Sequence, residues 1–358
     1  MISDVQALIA KSNVNEHRVQ TLLSSFDYTK YHPMNEIYKW IDQIKEAHPD
    51  LVTLNYLGST YEIRPIYYFK IGLPADKKKK VIWMDCGIHA REWISVAFCQ
   101  WFIRELLEHY NSNEVINKAL KNIDFYIVPV LNIDGFVYSW NTDRLWRKSR
   151  SPHNNSTCFG VDLNRNFDSN WCTIGASRNC STLTFCGTGP ASEPEVYAVQ
   201  QLVNSIKSEI LCFLTMHSYG QLILLPYGYT TNESANHKEM LSVGEKAAAR
   251  QAQIHGTQYR VGSASTILYS NSGSSRDWAT DLGFPFAYTF ELRDNGTYGF
   301  VLPEDQIKPT CEETTAAILS IIEYLNEKHF SSASRIFSGT LWINLSFSVL
   351  IGTYYSLF

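Results

Sequence analysis

The chain has 358 residues, 45% hydrophobic and 18% charged, a globular balance that excludes global disorder and collagen-like repeats. Lys plus Arg is 31 and Asp plus Glu is 35, a net charge of -4, which gives no support to a nucleic-acid or anionic-membrane binder. Aromatic residues reach 13%, and the eight cysteines are too few for a disulfide-only scaffold.

The N-terminus, MISDVQALIAKSN, lacks a basic start followed by a continuous apolar run, so it does not read as a secretory signal. Ile2, Val5, Leu8 and Ile9 recur at helical spacing and predict a short amphipathic helix. Residues 34–47 have helical periodicity too. The charge run Lys77 to Lys80 reads as a solvated loop entering a buried strand, VIWMDCG. His89 and Glu92 follow that strand. Three apart, they can point at one centre from a turn or a first helical turn, and both are good zinc ligands. Spacing alone also fits a surface pair, so a third ligand is required. Residues 94–110 are helical in period, and FYIVPVLN (125–132) reads as a buried strand.

Arg144, Arg147, Lys148 and Arg150 are followed by Asp162-Leu163-Asn164-Arg165-Asn166. A guanidinium fork bonds both oxygens of a carboxylate, and an Arg flanked by two Asn is not an ordinary solvated loop. ILCFLTMHS (210–218) reads as another buried strand, with His217 near its end. His217 is either a satisfied core histidine or the third ligand. Two His and one carboxylate leave a fourth zinc position for water, the catalytic arrangement. Glu291 sits inside the apolar run FAYTFELRD (286–294), where a carboxylate is costly without a partner or a purpose. A salt bridge to Arg293 would supply the partner; general-base work beside the metal would supply the purpose. Glu312 to Phe330 reads as a final amphipathic helix. Buried strands alternating with helices predict an α/β fold whose largely parallel or mixed sheet is covered on both faces. Polar residues at its strand ends are then site candidates.

Beyond Arg335 no residue is charged, and Leu341 to Phe358 is strongly apolar with polar interruptions. Ser331, Ser332, Ala333 and Ser334, a short spacer and this tail match a GPI-attachment signal, with Ser332 as the expected attachment residue. A tail-anchoring helix or a final core helix is the alternative. Sequons begin at Asn154, Asn155, Asn179, Asn232, Asn295 and Asn344; Asn295, near Glu291, is expected to be sterically hindered.

The segments GIHAREW, LWRKSRS, DLNRNF, LTMHSYGQL, ILYSNSGSSRDW and YTFELRD, in this order, resemble the zinc metallocarboxypeptidases of the pancreatic A/B type over about residues 26–330. The resemblance implies a single α/β domain with a mixed, mostly eight-stranded twisted sheet flanked by helices. It implies one Zn2+ per chain on His89, Glu92 and His217, with Asp162 orienting His89. Glu291 becomes the general base and acid, and Arg147 the cation facing the oxyanion. Asn164, Arg165 and Tyr269 become the clamp on the substrate's terminal carboxylate, and Arg91 and Tyr219 fall at substrate subsites. Arg276 takes the pocket-floor position, where A-type enzymes are apolar and B-type enzymes carry Asp. A buried cation there implies cleavage of C-terminal Glu and Asp, unless Arg276 is paired internally with Asp277, which would leave an apolar preference.

The same resemblance implies the disulfides Cys86–Cys99, Cys158–Cys180 and Cys172–Cys186, leaving Cys212 and Cys311 as thiols. Residues 1–25 look like a remnant of an activation-segment connecting helix. The stretch Thr21 to Ser25 contains no Lys or Arg, so tryptic activation there is not expected and the cleft is expected to be open. Residues 331–358 are the hydrophobic tail. The implied partners are peptide or protein C-termini, no nucleic acid, and a membrane reached through the GPI anchor by a monomer. Disulfides and sequons imply an oxidising, extracellular setting, and with the GPI anchor the expected place is the cell surface of an apical plasma membrane. Taken literally, however, the N-terminus as written would not enter the secretory route. A non-catalytic peptide-binding module would be favoured by loss of a ligand, of Glu291 or of Arg147, and none is lost. An endopeptidase with an H-E-x-x-H helix is excluded because the motif is absent. The carboxylate clamp argues against an amidohydrolase.

Overall fold

Met34, Ile37, Trp40, Ile41 and Ile44 are the buried face of the helix Met34–Ala47, the spacing that lets one stripe meet a core. The computed structural model describes residues 26–330; the expectations for 1–25 and for 331–358, Asn344 included, lie outside the described residues. The chain forms β1 (Val52–Ser59), β2 (Pro65–Ile71), β3 (Lys80–Cys86) and β4 (Ile123–Val128). A small hairpin follows, β5 (Pro152–His153) with β6 (Cys158–Phe159). β7 (Ile210–Ser218), β8 (Leu222–Leu225), β9 (Arg260–Ser263) and β10 (Phe286–Leu292) complete the strands.

All but the hairpin strands join one eight-stranded mixed sheet, in the order β1-β2-β4-β3-β7-β10-β8-β9. Its centre is parallel: β3 pairs with β4 and β7, and β7 with β10. β7 is buried at every position, as a strand covered on both faces must be. The helices Trp93–His109, Glu114–Asn122 and His237–His255 all pack against the terminal helix Ile307–Phe330, while Ser275–Asp281 packs on β7 and β10. This is the single α/β domain that the motifs imply.

Several boundaries moved. β4 stops at Val128 because Pro129 follows and has no N–H for the ladder. The last helix begins at Ile307 rather than Glu312; Pro309 lies in its first turn, where a missing N–H is harmless. The lysine run is only partly solvated. Lys79 is partly buried, pairs with Asp124 at 2.6 Å and donates to the carbonyls of Leu73 and Leu120. The three implied disulfides are formed, and Cys212 and Cys311 are buried free thiols. The sequon residues Asn154, Asn155, Asn179, Asn232 and Asn295 are all exposed, so the hindrance expected at Asn295 is not found. Among the described residues, no helix is long and apolar enough to cross a membrane.

Candidate metal centre and substrate cleft

The three central parallel strands end on one side of the sheet. β3 runs out just before His89 and Glu92, β7 carries His217, and β10 carries Glu291 in register with His217. Ligand sites of α/β sheets lie at such carboxyl ends. Here the topology brings together side chains far apart in sequence.

His89, Glu92 and His217 are each at most 3% exposed, and their donor atoms lie within 4.8 Å of one another in a group that could hold a metal ion. His89 Nδ1 is 2.7 Å from Glu92 Oε1, and His217 Nδ1 is 3.1 Å from both His89 Nδ1 and Glu92 Oε2. Tetrahedral zinc with bonds of about 2.0–2.1 Å has ligand–ligand edges of roughly 3.3 Å, so this donor set suits zinc in size and chemistry. Behind His89, Nε2 donates to Asp162 Oδ1 at 3.0 Å, which leaves the Nδ1 lone pair facing the centre. Asp162 is fully buried. Burial alone would raise its pKa, but Arg147, Arg165 and His89 hold it well below the usual carboxylate range.

A cleft of about 400 Å³ opens over this centre. Of the residues that the motifs assign, its lining includes His89, Arg91, Glu92, Arg147, Asn164, Arg165, Tyr219, Tyr269, Arg276 and Glu291; His217 and Asp162 are buried outside it. Arg147 donates to Asp162 Oδ2 through Nε and Nη2 at 3.1 and 2.9 Å, while Nη1 stands 3.9 Å from Glu92. Arg165 is anchored to the carbonyls of Gly175 and Asn164. Asn164 is fixed by Ser275 N–H, which donates to its Oδ1 at 2.9 Å. Tyr269 is half exposed, its ring centroid 5.9 Å from the Arg165 guanidinium carbon. Arg91 lies over the Phe300 ring at 3.9 Å, and Tyr219 packs edge-on against the same ring. Gly273 (φ +72) is required where this wall closes, because a Cβ there would overlap the Arg165 carbonyl.

Glu291 has no salt bridge to Arg293. Arg293 turns away to Glu313, donating through Nε at 2.8 Å. Burial and the neighbouring Glu92 carboxylate push the Glu291 carboxyl well above its ordinary pKa, against the pull of Arg147 and Arg276. Arg276 is 2% exposed, and the internal pair with Asp277 is formed: Nε and Nη2 reach Asp277 Oδ1 at 3.0 and 2.9 Å. Nη1 donates to Thr289 Oγ1 at 3.2 Å. Asp277 therefore occupies one edge of the guanidinium, and the other lies along the cleft wall.

Leu224, Leu268, Asn271, Thr289 and Phe300 also line the cleft and escaped the sequence reading. For two of them a signal existed. Thr289 is two residues before Glu291 on β10, hence on the same face, and Leu224 pairs with Thr289 across the sheet. Nothing local marked the others.

A model of the zinc carboxypeptidase family matches residues 37–317. Carboxypeptidase O of Bos taurus is 61% identical over 332 residues, covering 92% of this chain and 88% of that protein. Carboxypeptidase B of Bos taurus is 45% identical over 312 residues, covering 87% and 74%. Among solved structures, bovine thrombin-activatable fibrinolysis inhibitor in complex with tick carboxypeptidase inhibitor is similar with a TM-score of 0.80 at 45% identity, covering 84% of this chain and 99% of that one.

Proposed function

The chain belongs to the zinc carboxypeptidase family and is a metallocarboxypeptidase, and from that premise we propose that it removes acidic residues, Glu and Asp, from peptide C-termini. The observation that carries the acidic preference is the buried guanidinium of Arg276 on the wall of the cleft. A substrate carboxylate is the partner that a buried cation selects, and Lys or Arg side chains are repelled. Asp277 offsets part of that charge, so the competing reading is an apolar preference.

His89, Glu92 and His217 would hold the metal, with Asp162 fixing the His89 ring. When bound there, zinc lowers the pKa of a coordinated water and polarises the scissile carbonyl. The protein supplies the rest. Arg165, with Asn164 and Tyr269, binds the terminal carboxylate and so sets the last peptide bond over the centre. Glu291 takes a proton from the attacking water and delivers it to the departing amine nitrogen as the C–N bond breaks. Arg147 faces the carbonyl oxygen as negative charge develops on it. Arg91 and Tyr219 contact the preceding residues. The products are the shortened peptide and one free amino acid.

The exposed sequons, the three disulfides and the apolar tail support a glycosylated, GPI-anchored enzyme at the extracellular cell surface. Release from cells by a phosphatidylinositol-specific phospholipase is the expected outcome; retention would refute the anchor. The catalytic reading is tested with matched peptides ending in Glu, Phe or Lys, each with a free or an amidated C-terminus. We expect zinc-dependent release of Glu from the free form alone. Equal cleavage of amidated peptides would refute the clamp, and preferred release of Phe or Lys would refute the acidic preference.

A further inference from the structure

Asp162 holds the His89 ring at Nε2, whereas the Nε2 of His217, the nitrogen turned away from Glu92, meets Thr215 and Asn164 instead of a carboxylate. Behind His217 lies a line of buried groups that the catalytic reading leaves unused. Asp85, near the end of β3, is 1% exposed. Its partners are neutral: Trp83 Nε1 donates to Oδ2 at 2.7 Å, and Thr215 Oγ1 donates to Oδ1 at 2.8 Å. A buried carboxylate without a cation is a costly arrangement. Thr215 stands opposite Asp85 across the β3–β7 pairing. It shares a face of β7 with His217, two residues on, and its Oγ1 is 3.2 Å from His217 Nε2.

Counting hydrogens gives this line a direction. An ionised carboxylate only accepts, so the single hydroxyl hydrogen of Thr215 goes to Asp85. The Oγ1 lone pair then faces His217 Nε2, which must donate. Asn164, whose Oδ1 accepts from Ser275 N–H, turns its amide donor towards the same Nε2 at 3.5 Å, the longer contact, and the Nε2 hydrogen goes to Thr215 Oγ1 once Nδ1 is given to zinc. With hydrogen on Nε2, the Nδ1 lone pair is left facing Glu92 and His89.

We propose that Asp85, acting through the Thr215 hydroxyl, is the positioning carboxylate of His217: a relay that fixes its tautomer and ring angle for zinc, as Asp162 does directly for His89. Neither residue touches substrate. The inference rests on His217 being a zinc ligand.

The test measures zinc affinity by competition with a chelator of known affinity, alongside the melting temperature of the zinc-free protein. T215V, which keeps the shape and removes the hydroxyl, should weaken zinc binding about 10-fold or more, and D85N should act in the same direction. T215S should restore near-wild-type affinity. The double variant should lose no more than the larger single one, because the groups act in series. Unchanged zinc affinity in T215V and D85N, with only melting temperature lowered, would overturn the relay. H217A separates the premise from the proposal. Wild-type affinity in H217A refutes the ligand reading, whereas zinc lost in H217A but kept in T215V refutes the relay alone. Should T215V not fold, the zinc-loaded wild type still decides the matter: its proton NMR spectrum must contain an exchange-protected His217 Nε2 hydrogen, and its absence overturns the proposal.

Discussion

On the proposed acidic preference, the selectivity of this cleft rests on a single side chain, Arg276. Its guanidinium is held by Asp277, Thr289 and Ser274, so it is pre-organised and loses little freedom when a substrate carboxylate arrives. Arg276→Asp replaces one buried cation by a second anion beside Asp277. Preference for Glu over Lys, measured as the ratio of kcat/KM on matched peptides, should invert. The loss for Glu alone should exceed about 30-fold, since removing one partner of a buried charge pair costs about 2 kcal/mol or more. An unchanged ratio would assign selectivity to Leu224 and Leu268 instead. Glu195 carries a different kind of charge problem. It is fully buried, its Oε2 has no hydrogen-bond partner among the described residues, and burial raises its pKa from 4.5 to about 8. The folded state therefore holds a proton that the unfolded state releases above pH 4.5. Stability falls as pH rises from about 4.5 to 8, by up to about 1.4 kcal/mol per unit. Glu195→Gln stays neutral in both states, so its advantage over wild type should grow between pH 5 and pH 8 in denaturant melts. Parallel pH profiles for the two proteins would contradict the assignment.

At the scale of elements, much of the fold was legible because strand and helix carry different periods. The helix Met34–Ala47 appears at the predicted residues, and β7 coincides with the apolar run 210–218. Boundaries failed where proline chemistry overrode the pattern, at Pro129 and Pro309. The candidate pair His89 and Glu92 was legible in spacing, but the distance of His217 from them in sequence hid the convergence of the three, which needs β3 and β7 adjacent in the sheet. The Asp85–Thr215 line was invisible for the same reason: its members meet only across a strand pairing. The disulfide Cys86–Cys99 sits where this matters most, because its loop contains both His89 and Glu92 and ties β3 to the helix Trp93–His109. Closing a loop of 13 residues is worth about 2–4 kcal/mol. The double variant C86A/C99A should lose that much in equilibrium unfolding and should also bind zinc more weakly, since the ligand segment is freed. A loss of stability with unchanged zinc affinity would show that the strand end alone holds the ligands.

For the whole molecule, a metal held by His89, Glu92 and His217 would add a tie between strands already paired in the sheet. Two of the candidate ligands follow β3 and the third lies on β7, while Glu291 stands beside them on β10. A ligand that binds the folded chain and not the unfolded one stabilises it by RT ln(1 + [L]/Kd), about 4 kcal/mol at a thousandfold excess over Kd. Chelation should accordingly lower the melting temperature of the entire domain in one cooperative step, and added zinc should restore it in proportion to the logarithm of its free concentration. The buried sheet centre makes this a global effect and not a local one: β3 and β7 are core strands, and a domain whose core strands separate has no folded remainder to report. Calorimetry at several free zinc concentrations measures the slope. A melting temperature independent of zinc, in protein shown to bind it, would mean that the unfolded chain binds the metal as tightly as the folded one, and would overturn the reading of His89, Glu92 and His217 as a site assembled by folding.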